Sequence, residues 1–172
     1  MAHVLDSSSV NFTIDPVVLD LGQRFVDAGF ELSLVGGPVR DLFLGGRTSP
    51  DLDFTTDATP DQTISVIKKW ADNFWEIGRA FGTIGMKKNG FQIEVTTYRA
   101  EAYDPDSRKP VVAFGNSLTD DLLRRDFTIN AMALRLPSLE LVDPFGASAI
   151  FTRPSSPRQA PPRPLSPTIR CA

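Results

Sequence analysis

The chain has 172 residues, 41% of them hydrophobic and twelve of them phenylalanine, which is enough apolar material for one domain with a sizeable core. A single cysteine, Cys171, and a single histidine, His3, exclude an intrachain disulfide framework, thiolate or histidine zinc sites and a Ser-His-Asp triad. The net charge of −3 is uneven, because four arginines and no acidic residue follow Asp143 and residues 1–143 therefore carry −7; such an acidic body suits carboxylates gathered around metal ions better than a broad basic nucleic-acid surface.

At the N-terminus, "MAHVLDSSSV" lacks the basic and apolar regions of a signal peptide, and no window approaches the roughly 20 apolar residues of a membrane span. A cytoplasmic protein without a membrane partner is expected, with residues 1–14 as an N-terminal extension. "DPVVLDLGQRFVDAGF" predicts a helix capped by Asp15, with Pro16 in its first turn, Val17, Leu21, Phe25 and Val26 as apolar positions and Gly29 at its C-terminal cap. "ELSLVGG" reads as a strand entering a turn, "PVRDLFLGG" as a short helix stopped by glycines, and "DLDFTT" as a second strand. "TPDQTISVIKKWADN" restarts a helix with Thr59 as cap and Pro60 inside it. Three further strands lie in "FWEIG", "GTIGMKK" and "FQIEVTTYR", the last two joined by the hairpin dipeptide Asn89-Gly90. Residues 100–116 are polar, contain Pro105 and Pro110, and read as a loop long enough to suspect function. Ser117 then caps "LTDDLLRRDFTINAMAL", whose apolar residues have helical spacing. Residues 147–172 hold six of the fourteen prolines without apolar periodicity and are expected to be a disordered tail.

Along a strand, residues two apart share a face, so Asp51 and Asp53 project together while Leu52 turns to the core. Two Mg²⁺ ions about 4 Å apart can hold the attacking and leaving oxygens of a phosphoryl transfer, and carboxylates are their preferred ligands. Glu94, between the inward-facing Ile93 and Val95, has the chemistry of a third carboxylate. Alone, such a triplet is equally an ordinary solvated strand end. Gly36 and Gly37 let backbone approach a triphosphate, with the start of the following helix and Arg40 directed at it. The plain alternative is a strand-turn-helix corner with Arg40 and Asp41 paired on the surface. Likewise, Arg124, Arg125 and Asp126 alone could be a solvated helix end, with Asn130 one helical turn after Asp126.

The order of strand, Gly-Gly turn, short helix and Asp-Leu-Asp strand resembles the nucleotidyltransferase superfamily that includes DNA polymerase β. "LVGGPVRDLFLGG…PDLDFTTDATP" is similar to the catalytic head of the tRNA CCA-adding enzymes and bacterial poly(A) polymerases, as is "RRDFTINAMAL". The resemblance covers about residues 32–146. It implies an α+β polymerase β-like head with a mixed, mainly antiparallel sheet and flanking helices, over residues 15–146. It further implies that Asp51 and Asp53 bind two catalytic Mg²⁺ ions, with Glu94 as the third catalytic carboxylate. Gly36, Gly37, Arg40, Arg124, Arg125, Asp126 and Asn130 would bind the nucleotide, and Asp104 to Lys109 would belong to a mobile loop. The implied reaction is transfer of a nucleotide from CTP or ATP to an RNA 3′-hydroxyl, most naturally the tRNA 3′ end.

In the family a base-selecting helical neck and a tRNA-binding body follow this head, and neither is found in these residues. Removing one base from a family-like coding text for Gly-Gly-Ile-Gly-Asp-Leu-His-Ala yields the residues at 146–153, and the same shifted frame accounts for 168–172. The tail is therefore expected to be frameshifted, with nucleotide addition impaired. Two further readings remain open at this point: a minimal nucleotidyltransferase modifying a target other than tRNA, and an inactive nucleotide-binding remnant.

Overall fold

The computed structural model describes residues 14–45, 50–100, 113–115 and 117–152. Helix α1 spans Pro16–Asp27 and starts where the Asp15 side chain accepts the Val17 amide at 2.9 Å. It ends at Ala28, and Gly29 follows in the left-handed region. The face it buries is Val18, Leu21, Gly22 and Phe25, whereas the expected Val17 is only partly buried and Val26 is exposed. Gly22 sets that rotation. A Cβ there would lie 2.5 Å from the Cβ of Leu136 in strand β8 (Ala133–Leu136), so only glycine lets the helix rest this closely on the sheet.

Strand β1 (Leu32–Val35), helix α2 (Gly37–Phe43), strand β2 (Asp51–Thr56) and helix α3 (Pro60–Ile67) follow in the expected order. Thr59 and Gln62 form a reciprocal capping box at the start of α3. The helix is shorter than its sequence suggests: it ends at Ile67, and the following turn carries Trp70 into the core, where its indole N–H donates to Asp20 at 2.5 Å. Strands β3 (Asn73–Trp75), β4 (Thr83–Lys88) and β5 (Phe91–Thr97) come next, with Asn89 and Gly90 both at positive φ in the hairpin turn. Strands β6 (Arg99–Ala100) and β7 (Ala113–Phe114) pair antiparallel, so the expected loop is entered and left through a short ribbon. Asp104 to Lys109 lie outside the described residues.

The continuous helix expected from Leu118 to Leu134 does not form. Helix α4 (Leu118–Leu123), capped by Ser117, stops after six residues; a 3₁₀ turn covers Thr128–Asn130, and the chain then becomes β8. The cause is non-local. Strand β8 is clamped between β1 and β9 (Glu140–Val142), and the ladder bonds with burial of Ala133, Leu134 and Leu136 outweigh helical spacing.

The sheet has seven strands in the order β3-β4-β5-β2-β1-β8-β9, and β2 with β5 is its parallel pair. This is the α+β, mainly antiparallel architecture expected from the sequence. Leu34, Leu52, Phe54, Ile93, Val95 and Leu134 share the main core with α1 residues Val18, Leu21 and Phe25. Alternation turns Asp51, Asp53, Thr55 and Glu94 to the opposite face. There a smaller apolar cluster of Val35, Tyr98, Leu118, Leu122 and Ala133 seats α4. Among the described residues no helix is long and apolar enough to cross a membrane.

Residues 147–152, expected to begin a disordered tail, belong to the fold. The Asp143 carboxylate accepts the amides of Ala147 at 3.0 Å and Ser148 at 2.8 Å, and helix α5 (Ala149–Thr152) brings Phe151 onto Phe43 with ring centroids 5.8 Å apart. A boundary at Gly146 therefore falls too early, because the capping carboxylate lies before it and its partners after it; residues 153–172 lie outside the described residues. A chain ending at Gly146 is expected to be about 2 kcal/mol less stable than one ending at Thr152, since buried Asp143 loses both donors and Phe43 its ring contact. Thermal melts of the two chains check this, and equal midpoints would show that the segment contributes nothing.

Candidate functional site

Strand β1 delivers the chain to a corner at Gly36, where φ is +74° and ψ is −140°, a conformation closed to residues with a side chain. A Cβ on Gly36 would lie 3.5 Å from Arg125 Nη1 and 4.0 Å from Asp53 Oδ2. The bare backbone thus lies close beside a guanidinium and a carboxylate. Helix α2 leaves this corner with Pro38 in its first turn.

On β2, Asp51 and Asp53 are exposed on one face with Leu52 buried between them, as their spacing requires. Asp53 is in parallel register with Glu94 of β5, and Asp51 with Gln92. Register makes Glu94 a neighbour, but among the described residues no three acidic, histidine or cysteine side chains converge closely enough to hold a metal by themselves. Although Asp53 is exposed on this face, partial desolvation by the neighbouring chain raises its carboxyl above the ordinary range, the Arg125 guanidinium opposes that shift, and the charge of Asp51 adds to it. Two oxygen-donor groups under mutual repulsion fit Mg²⁺, which takes one or two carboxylates and completes its shell with water and substrate phosphates.

The cations come from two other elements. Arg40 pairs with Asp41 at 2.8 Å, the surface pairing of the plain alternative, yet its Nη1 also donates to Asn130 Oδ1 at 3.2 Å, and a Cβ on Gly37 would lie 3.5 Å from its Nη2. Arg124 and Arg125 line a cleft of about 340 Å³ together with Val35, Asp53, Phe54, Thr96, Arg99 and Asp121. Asp126 is exposed and is not among these lining residues. Because the segment is not one helix, Asp126 and Asn130 do not stack as successive turns, and Asn130 instead reaches Arg40 from its 3₁₀ turn.

Two residues of the cleft are not evident from the sequence. Asp121 accepts the Thr55 hydroxyl and the Arg99 amide, each at 3.2 Å, and lies 3.6 Å from Arg125 Nη2. Its spacing of four from Arg125 is the one local signal. Arg99 opens the β6–β7 ribbon, for which no local pattern exists. Tyr98 just before it is fully buried; burial and the nearby Glu31 carboxylate push its hydroxyl above the usual range, so it stays protonated and donates to Glu31 at 3.1 Å.

A seven-stranded sheet with a glycine corner beside paired strand carboxylates defines a head of the nucleotidyltransferase type. More narrowly, the chain belongs to the Poly A polymerase head domain family, whose sequence pattern matches residues 32–152. It is 45% identical over 126 residues to the CCA-adding enzyme of Bacillus pumilus, covering 73% of this chain and 30% of that protein. It is 50% identical over 113 residues to the CCA-adding enzyme of Staphylococcus haemolyticus, covering 65% and 27%. Among solved structures it is similar to the Bacillus stearothermophilus CCA-adding enzyme in complex with CTP, with a TM-score of 0.66 and 31% identity over 80% of this chain and 32% of that one. A tRNA nucleotidyltransferase complexed with a primer tRNA and an incoming ATP analog matches with a TM-score of 0.59 and 30% identity, covering 76% and 36%. The chain thus spans about a third or less of the length of these relatives.

Proposed function

We propose that this chain is a Mg²⁺-dependent RNA nucleotidyltransferase head that places CTP or ATP for transfer to an RNA 3′-hydroxyl, as in tRNA 3′ processing in the cytoplasm. The observation that carries this reading is the Gly36 corner, whose bare backbone lies close beside both the Arg125 guanidinium and the Asp53 carboxylate. Asp51 and Asp53 would hold the metal, with Glu94 beside them in register. Magnesium, when bound, supplies neutralisation of the triphosphate and acidification of the attacking hydroxyl.

The remaining work falls to the chain's own groups. Gly36 and Gly37 admit the phosphates against backbone, and Arg40, oriented by Asp41 and Asn130, offers a fixed guanidinium beside them. Arg124 and Arg125 line the cleft where negative charge accumulates on the departing pyrophosphate. With Arg124 and Arg125, Asp126 and Asn130 are assigned to the phosphates and ribose of the nucleotide. No side-chain nucleophile is required, so catalysis is positioning and charge stabilisation.

Incubating the chain with Mg²⁺, labelled CTP and a tRNA lacking its 3′-terminal nucleotides tests the proposal. Incorporation that disappears with EDTA is expected, at a low rate. Absence of both incorporation and Mg²⁺-dependent CTP binding would refute it.

A further inference from the structure

Most described arginines sit against a carboxylate: Arg24 on Asp20, Arg40 on Asp41, Arg79 on Asp61 and Glu76, Arg125 on Asp121, and Arg135 on Glu31. Among the described residues Arg99 and Arg124 have no such ion pair, and both line the cleft that contains Asp53. Of the two, Arg99 is held in the more telling way. Asp121 takes its backbone N–H at 3.2 Å and gives its other oxygen to Thr55 and Arg125, so the guanidinium gains no counter-charge from it. Arg99 Nη2 donates to the Phe81 carbonyl at 3.1 Å, and its Nε is buried without any partner. Among the described residues the acceptor that holds this half-buried guanidinium is the neutral Phe81 carbonyl, and an anion entering the cleft would supply the charge that this contact lacks.

We propose that Arg99 is a further phosphate-binding cation of this cleft, acting beside Arg124 and Arg125; the inference rests on the nucleotidyl-transfer reading above. What it would offer a phosphate oxygen is a permanent positive charge beside the cleft. Two sources share that chemistry, the triphosphate of the incoming nucleotide and the phosphodiester backbone of the RNA acceptor.

Titrations of the full 172-residue chain with Mg²⁺-CTP, with inorganic tripolyphosphate and with a short single-stranded RNA in the absence of nucleotide separate these sources. Arg99→Gln is expected to weaken at least one of the three by about fivefold or more, while Arg99→Lys, which keeps the charge, stays within about threefold of the native chain. Loss for CTP and tripolyphosphate assigns the contact to the nucleotide, and loss for RNA alone assigns it to the acceptor strand; either outcome supports the proposal. Unchanged affinity for all three overturns it, as does equal loss in the lysine and glutamine variants, which would mark the contact with Phe81 rather than charge as the cause. If Arg124→Gln weakens CTP binding and Arg99→Gln leaves all three affinities unchanged, this proposal alone fails. A native chain that does not bind Mg²⁺-CTP removes the functional reading with it.

Discussion

Asp53→Asn is expected to abolish Mg²⁺-dependent CTP binding by the chain while leaving its melting temperature unchanged or raised at neutral pH. The substitution conserves shape and leaves the β2 ladder with β1 and β5 intact. What it removes is one of two carboxylates on the strand face that confronts Gly36. A metal held by so few protein ligands does not survive losing one, and at least a tenfold loss of affinity, about 1.4 kcal/mol, is expected. The stability arm has the opposite sign. Partial desolvation, countered by Arg125 and reinforced by Asp51, raises the Asp53 pKa above its ordinary 3.8. A carboxyl whose folded-state pKa lies above its unfolded value destabilises the fold once pH exceeds the unfolded value, and has no effect below both. Any gain from asparagine is therefore present at pH 7 and vanishes as pH falls toward about 4. Calorimetric titration with and without EDTA, beside melts at the two pH values, checks both arms. Metal-dependent CTP binding within twofold of the native chain would remove Asp53 from the metal site.

Features that depend on neighbouring residues alone are legible in the sequence. Asp15 with Pro16, and Thr59 with Pro60, begin helices because their side chains and missing donors satisfy local requirements. Asn89-Gly90 closes a hairpin because both residues tolerate positive φ, and Asp51-Leu52-Asp53 splits its faces because a strand repeats every two residues. The run from Leu118 to Leu134 defeats the same logic. Its apolar spacing suits a helix, and only pairing with Leu32–Val35, about a hundred residues earlier in the chain, makes its last part a strand. At the other end, six residues with no apolar period hide a cap donated by Asp143 and a ring contact with Phe43. Those contacts are invisible in a composition. In the site, the glycine corner and the paired aspartates are readable from type and spacing, whereas Arg99 depends on the ribbon that places it against the cleft.

Asp121→Ala is expected to produce the largest loss of stability among single substitutions around the cleft. Asp121 is 8% exposed and binds three elements at once: its own helix α4 through Arg125 just beyond the end, β2 through the Thr55 hydroxyl, and β6 through the Arg99 amide. Alanine would leave the Arg99 N–H and the Arg125 guanidinium without this acceptor, while the Thr55 hydroxyl keeps the Thr96 carbonyl at 3.2 Å. Removing one partner of a buried charged pair costs about 3–5 kcal/mol, and the partial exposure of Arg125 places this case near the lower end, about 3 kcal/mol. For a domain of this size that lowers the melting temperature on the order of 10 °C. Asp121→Asn should lose less, because its amide oxygen still accepts one of the two hydrogen bonds, although its NH₂ then competes with Arg125. Thr55→Val provides the internal check. If the carboxylate and hydroxyl work as one contact, the double variant should be less destabilised than the sum of the two single changes. Hydrogen exchange at the Arg99 amide should accelerate in Asp121→Ala by more than the global loss of stability explains, because the β6–β7 ribbon loses its tie to α4. A melt within two or three degrees of the native chain, with Arg99 exchange unchanged, would mean that Thr55, Arg99 and Arg125 find other partners and that Asp121 does not hold the cleft together.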